Sequence, residues 1–247
     1  MTRPLPFVLA ATDQGTMILS HLDFCRVPSG EAYGVGASLL YGACYEPHEI
    51  GVIIQAIDRM RADRGDDLIV LDVGANIGVH TVCLARHMTG WGQVVAVEAQ
   101  ERVFYALCGN IALGNHFNAR AICAAAGAAD GWIDMPQPDY TAPASLGSFE
   151  VIKKTGGDTG QDIDYAAPST RVRQMAIDSL ALPRCDFIKL DCEGMEVEAL
   201  AGARETIARC RPAMFIEVTK SDADGIKAAI SDGYKVYPVS NGIVVMP

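Results

Sequence analysis

Short, almost continuously apolar runs alternate along the chain with longer segments in which apolar residues recur every three or four positions. The runs lie at 68–73, 94–98, 121–124, 187–191 and 214–218. The segments with helical period lie at 76–89, 101–114, 195–209 and 223–232. Strands that are apolar throughout are typical of parallel sheets covered on both faces. The alternation therefore predicts an α/β fold with a doubly wound, mostly parallel sheet whose ligand crevice lies at the carboxyl ends of the strands.

Three regions depart from this alternation. Residues 1–66 contain β-like pairs and a helix from Pro47 to Arg61, which predicts an N-terminal cap on the same folding unit. Residues 67–247 form the ligand-binding domain, with an excursion at about 131–173 that is rich in Gly, Pro, Asp, Ser and Thr and has β-like pieces near 132–134 and 149–152. At the end of the chain, Asn241-Gly242 between two β runs predicts an antiparallel hairpin.

Composition narrows the possible partners. The 247 residues are half apolar, enough for an ordinary core, and the formal net charge of −10 repels phosphate backbones and anionic lipid. We therefore expect neither nucleic acid nor a membrane as partner, and no stretch has the ~18 apolar residues of a spanning helix. Eight cysteines without a C-x-x-C pair favour reduced core thiols and a cytoplasmic protein.

A glycine turn follows the first of the apolar runs. Asp72-Val73-Gly74-Ala75-Asn76-Ile77-Gly78 ends a strand and opens a helix, so that the backbone can approach a ligand with N–H groups pointing into the crevice. Glu98 ends the next strand, 20 residues after Gly78, the distance at which a carboxylate accepts hydrogen bonds from ribose hydroxyls. Together these residues predict a site for an adenosine-type ligand.

The spacing of the glycines indicates which cofactor this is. Asn76 stands where a dinucleotide fingerprint has its middle glycine, which normally lets a pyrophosphate approach. Asp72, just before the turn, opposes a diphosphate but favours an ammonium or sulfonium cation. S-adenosylmethionine therefore fits this turn, whereas NAD fits poorly.

Acidic residues follow the later strands. Lys189, Asp191 and Glu193 share one side of the chain if the extended conformation persists past the fourth run, and Glu217 ends the fifth. A carboxylate here can act as general base for a hydroxyl or can hold a divalent cation such as Mg²⁺. The alternative is that Asp191 and Glu193 only cap the following helix.

Histidines add one candidate. His80, on the first turn of the helix after the glycine turn, could reach the crevice as a base or a substrate contact, or could simply pack. The other histidines lack metal-ligand spacing, which argues against a histidine zinc site; they are His21, His48, His87 and His116.

These motifs resemble the FkbM family of methyltransferases. The resemblance rests on residues 70–78, Ile177-Asp178-Ser179-Leu180, residues 187–203, Arg211-Pro212 and Ile216-Glu217. Tyr45-Glu46-Pro47 is also similar to a short motif that the family carries before its glycine turn. The resemblance implies a class I Rossmann-like fold and methylation of hydroxyls on sugars or secondary metabolites.

The resemblance also implies roles for single residues. The methyl donor would be bound by Asp72, Gly74, Asn76, Gly78 and Glu98, and Glu46 is also expected to bind it. The acceptor would face Lys189, Asp191 and Glu193. The expected function is S-adenosylmethionine-dependent O-methylation of a small hydroxyl-bearing molecule. The alternatives are an NAD-dependent oxidoreductase and a non-catalytic nucleotide-binding protein, while a need for Mg²⁺ and assembly into a homo-oligomer are left open.

Overall fold

The computed structural model describes residues 5–26, 32–152, 159–166, 169–230 and 233–247. The strands of this part of the chain are β1 (Phe7–Thr12), β2 (Gly15–Ser20), β3 (Cys25–Arg26), β4 (Ala32–Tyr33), β5 (Leu68–Val73), β6 (Gly92–Glu98), β7 (Ala119–Cys123), β8 (Ala125–Ala126), β9 (Gly131–Met135), β10 (Thr170–Met175), β11 (Phe187–Leu190), β12 (Ala213–Glu217), β13 (Lys235–Pro238) and β14 (Gly242–Met246). The helices are α1 (Val35–Gly42), α2 (Pro47–Arg64), α3 (Val79–His87), α4 (Glu101–Leu113), α5 (Glu196–Ala201), α6 (Arg204–Cys210) and α7 (Ala223–Ala229), with a 3₁₀ helix at Ile177–Leu180.

A seven-stranded sheet in the order β13-β14-β12-β11-β5-β6-β7 forms the centre of the fold. The strands β7, β6, β5, β11 and β12 are parallel, and β14 pairs antiparallel with both β12 and β13. This arrangement confirms the predicted mostly parallel sheet with an antiparallel C-terminal hairpin. Because β5 has β6 on one side and β11 on the other, the chain reverses its winding at β5, which opens a crevice at the carboxyl ends of these strands.

Helices cover both faces of this sheet, and the alternation along β5 shows the division. Leu68 and Val70 pack against α2 and α3, whereas Ile69, Leu71 and Val73 pack on the other face against α5, α6 and α7. All five side chains are at most 9% exposed. The β1–β2 hairpin and α1 pack outside α4 and α3, where they complete the cap over the crevice.

The helix predicted at 195–209 is divided into α5 and α6, so this prediction is partly wrong. Gly202 lies between the two helices, and here the backbone packs closely on Gly127. A Cβ at position 202 would lie 2.1 Å from the carbonyl oxygen of Gly127. The 3₁₀ helix also inserts here, and Asp178 accepts hydrogen bonds from the backbone N–H groups of Glu205 and Thr206 at 3.0 and 2.8 Å. A side chain distant in sequence therefore caps α6, which helical periodicity cannot show.

The predicted excursion forms a small sheet of its own. Strand β9 matches the β-like piece near 132–134 and pairs antiparallel with β10, which in turn pairs with β8. The strand predicted near 149–152 is not formed. Phe149 and Val151 are instead buried in an apolar cluster with Met135 and Met195, so their hydrophobicity serves packing without a strand partner.

Some predictions fall on residues outside the described part of the chain. These residues are 1–4 and 27–31 of the cap, 153–158 and 167–168 of the excursion, and 231–232 at the end of a predicted helix. The eight cysteines are all described and unpaired; Cys25 and Cys185 are buried and the others are half-buried. Within the described residues, no helix combines the length and the hydropathy needed to cross a lipid bilayer.

Candidate active site

A cavity of about 330 Å³ lies at the carboxyl ends of β5, β6 and β11. Its size falls within the range of ~300–1,000 Å³ typical of small-molecule sites. The walls come from residues in the glycine turn (73–76), at the ends of β6 (97–100) and β11 (189–195), in the cap (33–46) and in the excursion (145–151). The cavity thus lies at the carboxyl ends of the parallel strands, as the sequence predicts, and at the point where the chain reverses its winding.

The glycine turn is pressed against the loop that follows β11. Gly74 has φ +79°, and a Cβ at this position would lie 1.7 Å from the carbonyl oxygen of Asp191. Gly78 has φ +90°, and a Cβ there would lie 2.6 Å from Leu107 Cδ1. Both positions therefore require glycine for conformation and for space. The close approach brings the turn and Asp191 to the same wall of the cavity.

The N–H groups of this turn are bonded within the protein. Gly74 and Ala75 both donate to Val97 O at 2.9 Å, and Gly78 donates to Ala75 O. Asn76, which has φ +51°, donates to Glu98 Oε2, and its own Oδ1 accepts the N–H of Ile77 at 2.7 Å. The prediction that these N–H groups point into the crevice is wrong, because the tight turn directs those of residues 74–76 toward β6 and those of Ile77 and Gly78 back into the turn.

Glu98 is held at the end of β6 with one side toward the cavity. Its Oε2 accepts the N–H of Asn76 at 2.9 Å, and its Oε1 accepts the N–H of Gln100 at 2.7 Å. The residue is 6% exposed, and burial raises the pKa of Glu98 to about 7 although both N–H bonds act in the opposite direction. A carboxylate fixed in this way presents a shaped acceptor to hydroxyl groups of a ligand.

Asp72 lies behind the cavity wall. The residue is fully buried, and its Oδ2 accepts a hydrogen bond from Thr81 Oγ1 at 2.6 Å. Strand register places Lys189 opposite Asp72, and Lys189 Nζ lies 3.7 Å from Asp72 Oδ1. Asp72 is therefore positioned to act on the cavity through Lys189.

Lys189 and Asp191 form an ion pair at the end of β11. Lys189 Nζ donates to Asp191 Oδ2 at 3.1 Å, and the two side chains are 2% and 26% exposed. Burial disfavours the ammonium, but the carboxylates of Asp191, Asp72 and Glu49 outweigh it and raise the pKa of Lys189 above its ordinary value. Lys189 is therefore a fixed positive charge that orients Asp191 at the cavity wall.

Glu193 reaches the same cavity by a different route from the one predicted. It has φ +53°, so the extended conformation of β11 does not persist to this residue. Its carboxylate pairs with Lys220, which also donates to Ser148 O at 2.7 Å. Burial, together with the charges of Asp191 and Glu217, raises the pKa of Glu193 to about 8 even though Lys220 favours the ionised form.

Glu196 is a structural residue that the sequence analysis did not single out. Its carboxylate accepts the N–H of Cys192 at 2.6 Å and that of Gly194 at 3.0 Å, and it also accepts the hydroxyl of Ser221. This residue closes the loop on which Asp191 and Glu193 lie. Its place three residues after Glu193, at the start of α5, is the signal that could have shown it, since a glutamate there caps backbone N–H groups.

The acidic strand ends do not fit a magnesium ion. Oxygens of Asp191, Glu196 and Glu217 lie within 4.8 Å of one another, and burial raises the pKa of Glu217 to about 7. Glu196, however, already accepts three hydrogen bonds, and Glu193 is paired with Lys220. Since Mg²⁺ needs carboxylates free to coordinate, we derive no step through this ion.

Glu46 is brought to the cavity by the cap. It precedes α2 with φ +46°, and its Oε2 lies 4.0 Å from Nε2 of His80, which also lines the cavity. Burial and the nearby charge of Glu49 raise the pKa of Glu46. Of the nine residues predicted for the site, seven line this cavity, whereas Gly78 and Asp72 lie outside its walls.

Comparison with known proteins identifies the family. A profile described as Methyltransferase FkbM domain matches residues 72–235, about two thirds of the chain. The chain belongs to the FkbM methyltransferase family. None of the curated proteins compared matches it in sequence.

Two solved methyltransferase structures are similar to this chain. Methyltransferase FkbM from Methylobacillus flagellatus KT is 17% identical with a TM-score of 0.53, and the match covers 74% of this chain and 44% of that one. An O-methyltransferase from Bacillus cereus in complex with SAH is 14% identical with a TM-score of 0.47, and 85% and 84% are covered. The chain thus spans less than half of the length of the first of these. Its fold is the class I Rossmann-like methyltransferase fold.

The family implies S-adenosylmethionine as the methyl donor, and the residues present fit it. Gly74 lets the turn and the loop at Asp191 meet at one side of the cavity, and Glu98 presents a fixed carboxylate at the end of β6. Carboxylates of Glu46, Asp191 and Glu193 also line the cavity and suit a cationic ligand.

Proposed function

We propose that this protein transfers the methyl group of S-adenosylmethionine to a hydroxyl oxygen of a sugar or secondary metabolite. The observation that carries the proposal is the contact between the turn at Gly74 and the loop at Asp191, which puts the predicted donor and acceptor groups on one cavity. We assign residues 67–247 to the methyltransferase domain and 1–66 to its cap. Contributions of Gly34, Val35 and Glu46 to the cavity wall support this assignment.

The donor is held chiefly by shape and by one carboxylate. Glu98 accepts the ribose hydroxyls, and the glycine turn lets the ligand approach β5 closely. Asn76 sets the turn by its αL conformation, and Asp72 holds Lys189 from behind. Glu46 lies in the cavity wall beside the donor. When bound, S-adenosylmethionine supplies a methyl group already activated by its sulfonium.

The protein's own part in the reaction is to orient the acceptor and to take its proton. Asp191, fixed by Lys189, would receive the proton of the acceptor hydroxyl as the methyl group passes to the oxygen and its bond to the sulfonium breaks, leaving the neutral thioether. Glu193 lies on the same loop and supports that proton transfer when it is ionised. Burial of the site excludes water and keeps the hydroxyl aligned. Alignment and exclusion of water account for most of the rate acceleration in such a transfer.

The raised pKa of Glu193 predicts an acid limb in the pH profile. Below about 8 this carboxyl is protonated, so we expect kcat/KM to rise with pH as it ionises and to level off above that value. In Glu193→Gln the limb should disappear while some activity remains. The measurement is kcat/KM between pH 6 and 9.5, a range that extends ~1.5 pH units or more on either side of the pKa of Glu193. An identical limb in the variant would remove Glu193 from the proton transfer.

Two assays test the proposed function. In isothermal titration calorimetry, S-adenosylhomocysteine should bind with a stoichiometry of about one per chain, and NAD⁺ should not bind. With methyl-tritiated donor and a panel of sugars and hydroxylated metabolites, label should appear in an acceptor that carries a free hydroxyl. Binding of NAD⁺ instead would favour an oxidoreductase. Binding of S-adenosylhomocysteine without transfer to any member of the panel would favour a non-catalytic nucleotide-binding protein.

A further inference from the structure

Three potential metal ligands converge beside the cavity, away from the acidic strand ends. They are one carboxylate oxygen each of Glu46 and Glu49 and one ring nitrogen of His80, all within 4.8 Å of one another. His80 Nε2 lies 3.1 Å from Glu49 Oε1 and 4.0 Å from Glu46 Oε2. Ligand atoms that each lie about 2.1 Å from a common ion are themselves about as far apart as these side-chain atoms are. Small movements of the side chains would therefore suffice to bind an ion.

Two packed helices fix these residues in place. Glu46 is the residue before α2, Pro47 begins the helix, and Glu49 lies in its first turn. His80 is the second residue of α3, directly after the glycine turn. The three side chains therefore project from adjacent helix starts, which gives the group a rigid frame.

His80 supplies a second, independent observation. The residue is 5% exposed, and its buried Nε2 makes no hydrogen bond. Glu49 Oε1 lies 3.1 Å from this nitrogen, but the two atoms do not have the geometry of a hydrogen bond. A buried polar atom without a partner costs about 1–3 kcal/mol, so such atoms in native proteins point to a missing ion or water.

The surrounding charges favour a cation over a neutral partner. Glu46 lies near Glu49 and Asp191, and the positive charges that act on it are His80, when protonated, and Lys189. Lys189 is itself engaged by Asp191 and Asp72. With His80 neutral, as a metal ligand must be, negative charge exceeds positive charge in this buried region, an imbalance that a divalent ion would correct.

We propose that Glu46, Glu49 and His80 bind a divalent transition-metal ion such as Zn²⁺ or Mn²⁺. An imidazole with two carboxylates suits these ions better than Mg²⁺, which prefers oxygen ligands alone. Three protein ligands leave coordination positions open. Because Glu46 and His80 also line the cavity, these positions face a ligand bound there. The proposal rests on this geometry and not on the proposed methyl transfer.

The test uses full-length protein stripped of metal with a chelator. Calorimetry with ZnCl₂, MnCl₂ and MgCl₂ should show about one tightly bound transition-metal ion per chain and much weaker binding of Mg²⁺. In His80→Gln and in Glu49→Gln, affinity should fall at least about tenfold, since even the loss of an outer partner of a metal site costs that much. The visible spectrum of the Co²⁺ form should change in the same variants.

The chain offers a matched control. His87 on α3 and Asp58 on α2 form an exposed pair, with His87 Nε2 2.7 Å from Asp58 Oδ1, between the same two helices. His87→Gln should bind Zn²⁺ as the wild type does. Absence of a bound transition metal in the wild type, or unchanged affinity in His80→Gln, would overturn the proposal. If His80→Gln does not fold, the same criterion applies to Glu49→Gln.

The two proposals can fail separately. S-adenosylhomocysteine binding is measured on the same metal-free samples, so a protein that binds this ligand but no metal refutes the metal site alone. A protein that binds Zn²⁺ through His80 but not S-adenosylhomocysteine retains the metal site and refutes the methyltransferase function.

Discussion

Replacement of Asp191 by asparagine should lower turnover about a hundredfold or more, the contribution expected of a positioned general base. The amide has the shape of the carboxylate but cannot accept the acceptor's proton, and it removes the charged partner of Lys189 at 3.1 Å. Donor affinity should change little, because Asp191 contributes its backbone, not its side chain, to the contact with Gly74. Steady-state rates and calorimetry with S-adenosylhomocysteine separate the two effects.

A matched control is Asp224→Asn at the start of α7, where the carboxylate is 95% exposed. This variant should have wild-type turnover. The melting temperatures of both proteins show whether a loss of activity reflects loss of the fold. Normal turnover in a folded Asp191→Asn protein would exclude Asp191 as the proton acceptor.

Replacement of Glu98 by glutamine should weaken binding of S-adenosylhomocysteine about thirtyfold, which corresponds to ~2 kcal/mol for hydrogen bonds to a charged group. The amide has one acceptor oxygen where the carboxylate has two. One of the N–H groups of Asn76 and Gln100 therefore loses its acceptor, and the turn loses its alignment with β6. Calorimetry at pH 8, above the pKa of about 7, measures the effect with Glu98 ionised in the wild type.

The control for this variant is Glu101→Gln, three residues later, where the exposed carboxylate at the start of α4 accepts the hydroxyl of Tyr105. We expect no change in affinity there. Equal affinities of wild type and Glu98→Gln would contradict the assignment of Glu98 to the ribose hydroxyls.

The sheet and the position of the site could be predicted from the sequence because local patterns determine both. Apolar runs such as 68–73 identify parallel strands, and parallel strands place all their carboxyl ends at one edge. Glycines at 74 and 78 and the carboxylate at 98 follow those strand ends directly. Their convergence on a cavity is therefore a consequence of topology, which short-range patterns are sufficient to show.

The remaining features depend on contacts between residues distant in sequence. The break between α5 and α6 is caused by Gly127 and Asp178, and the N–H groups of the turn are directed by Val97 and Glu98 on a neighbouring strand. A search of the sequence for metal-ligand spacing also does not show that His80 lies beside Glu46 and Glu49, at the start of α2. Such spacing detects only ligands that share one segment of chain.

The contact between Gly74 and the carbonyl of Asp191 also bears on how specificity could change in this protein. Because the two loops touch through main-chain atoms, substitutions in 191–195 that move the backbone should disturb cofactor affinity together with acceptor choice, whereas a side-chain replacement such as Asp191→Asn should not. The excursion also lines the cavity at 145–151, and at Gly147 it approaches the turn, since a Cβ there would lie 2.8 Å from Asn76 Nδ2. Natural drift or laboratory selection toward new acceptors would therefore be concentrated in the excursion, while the paired loops stay constant.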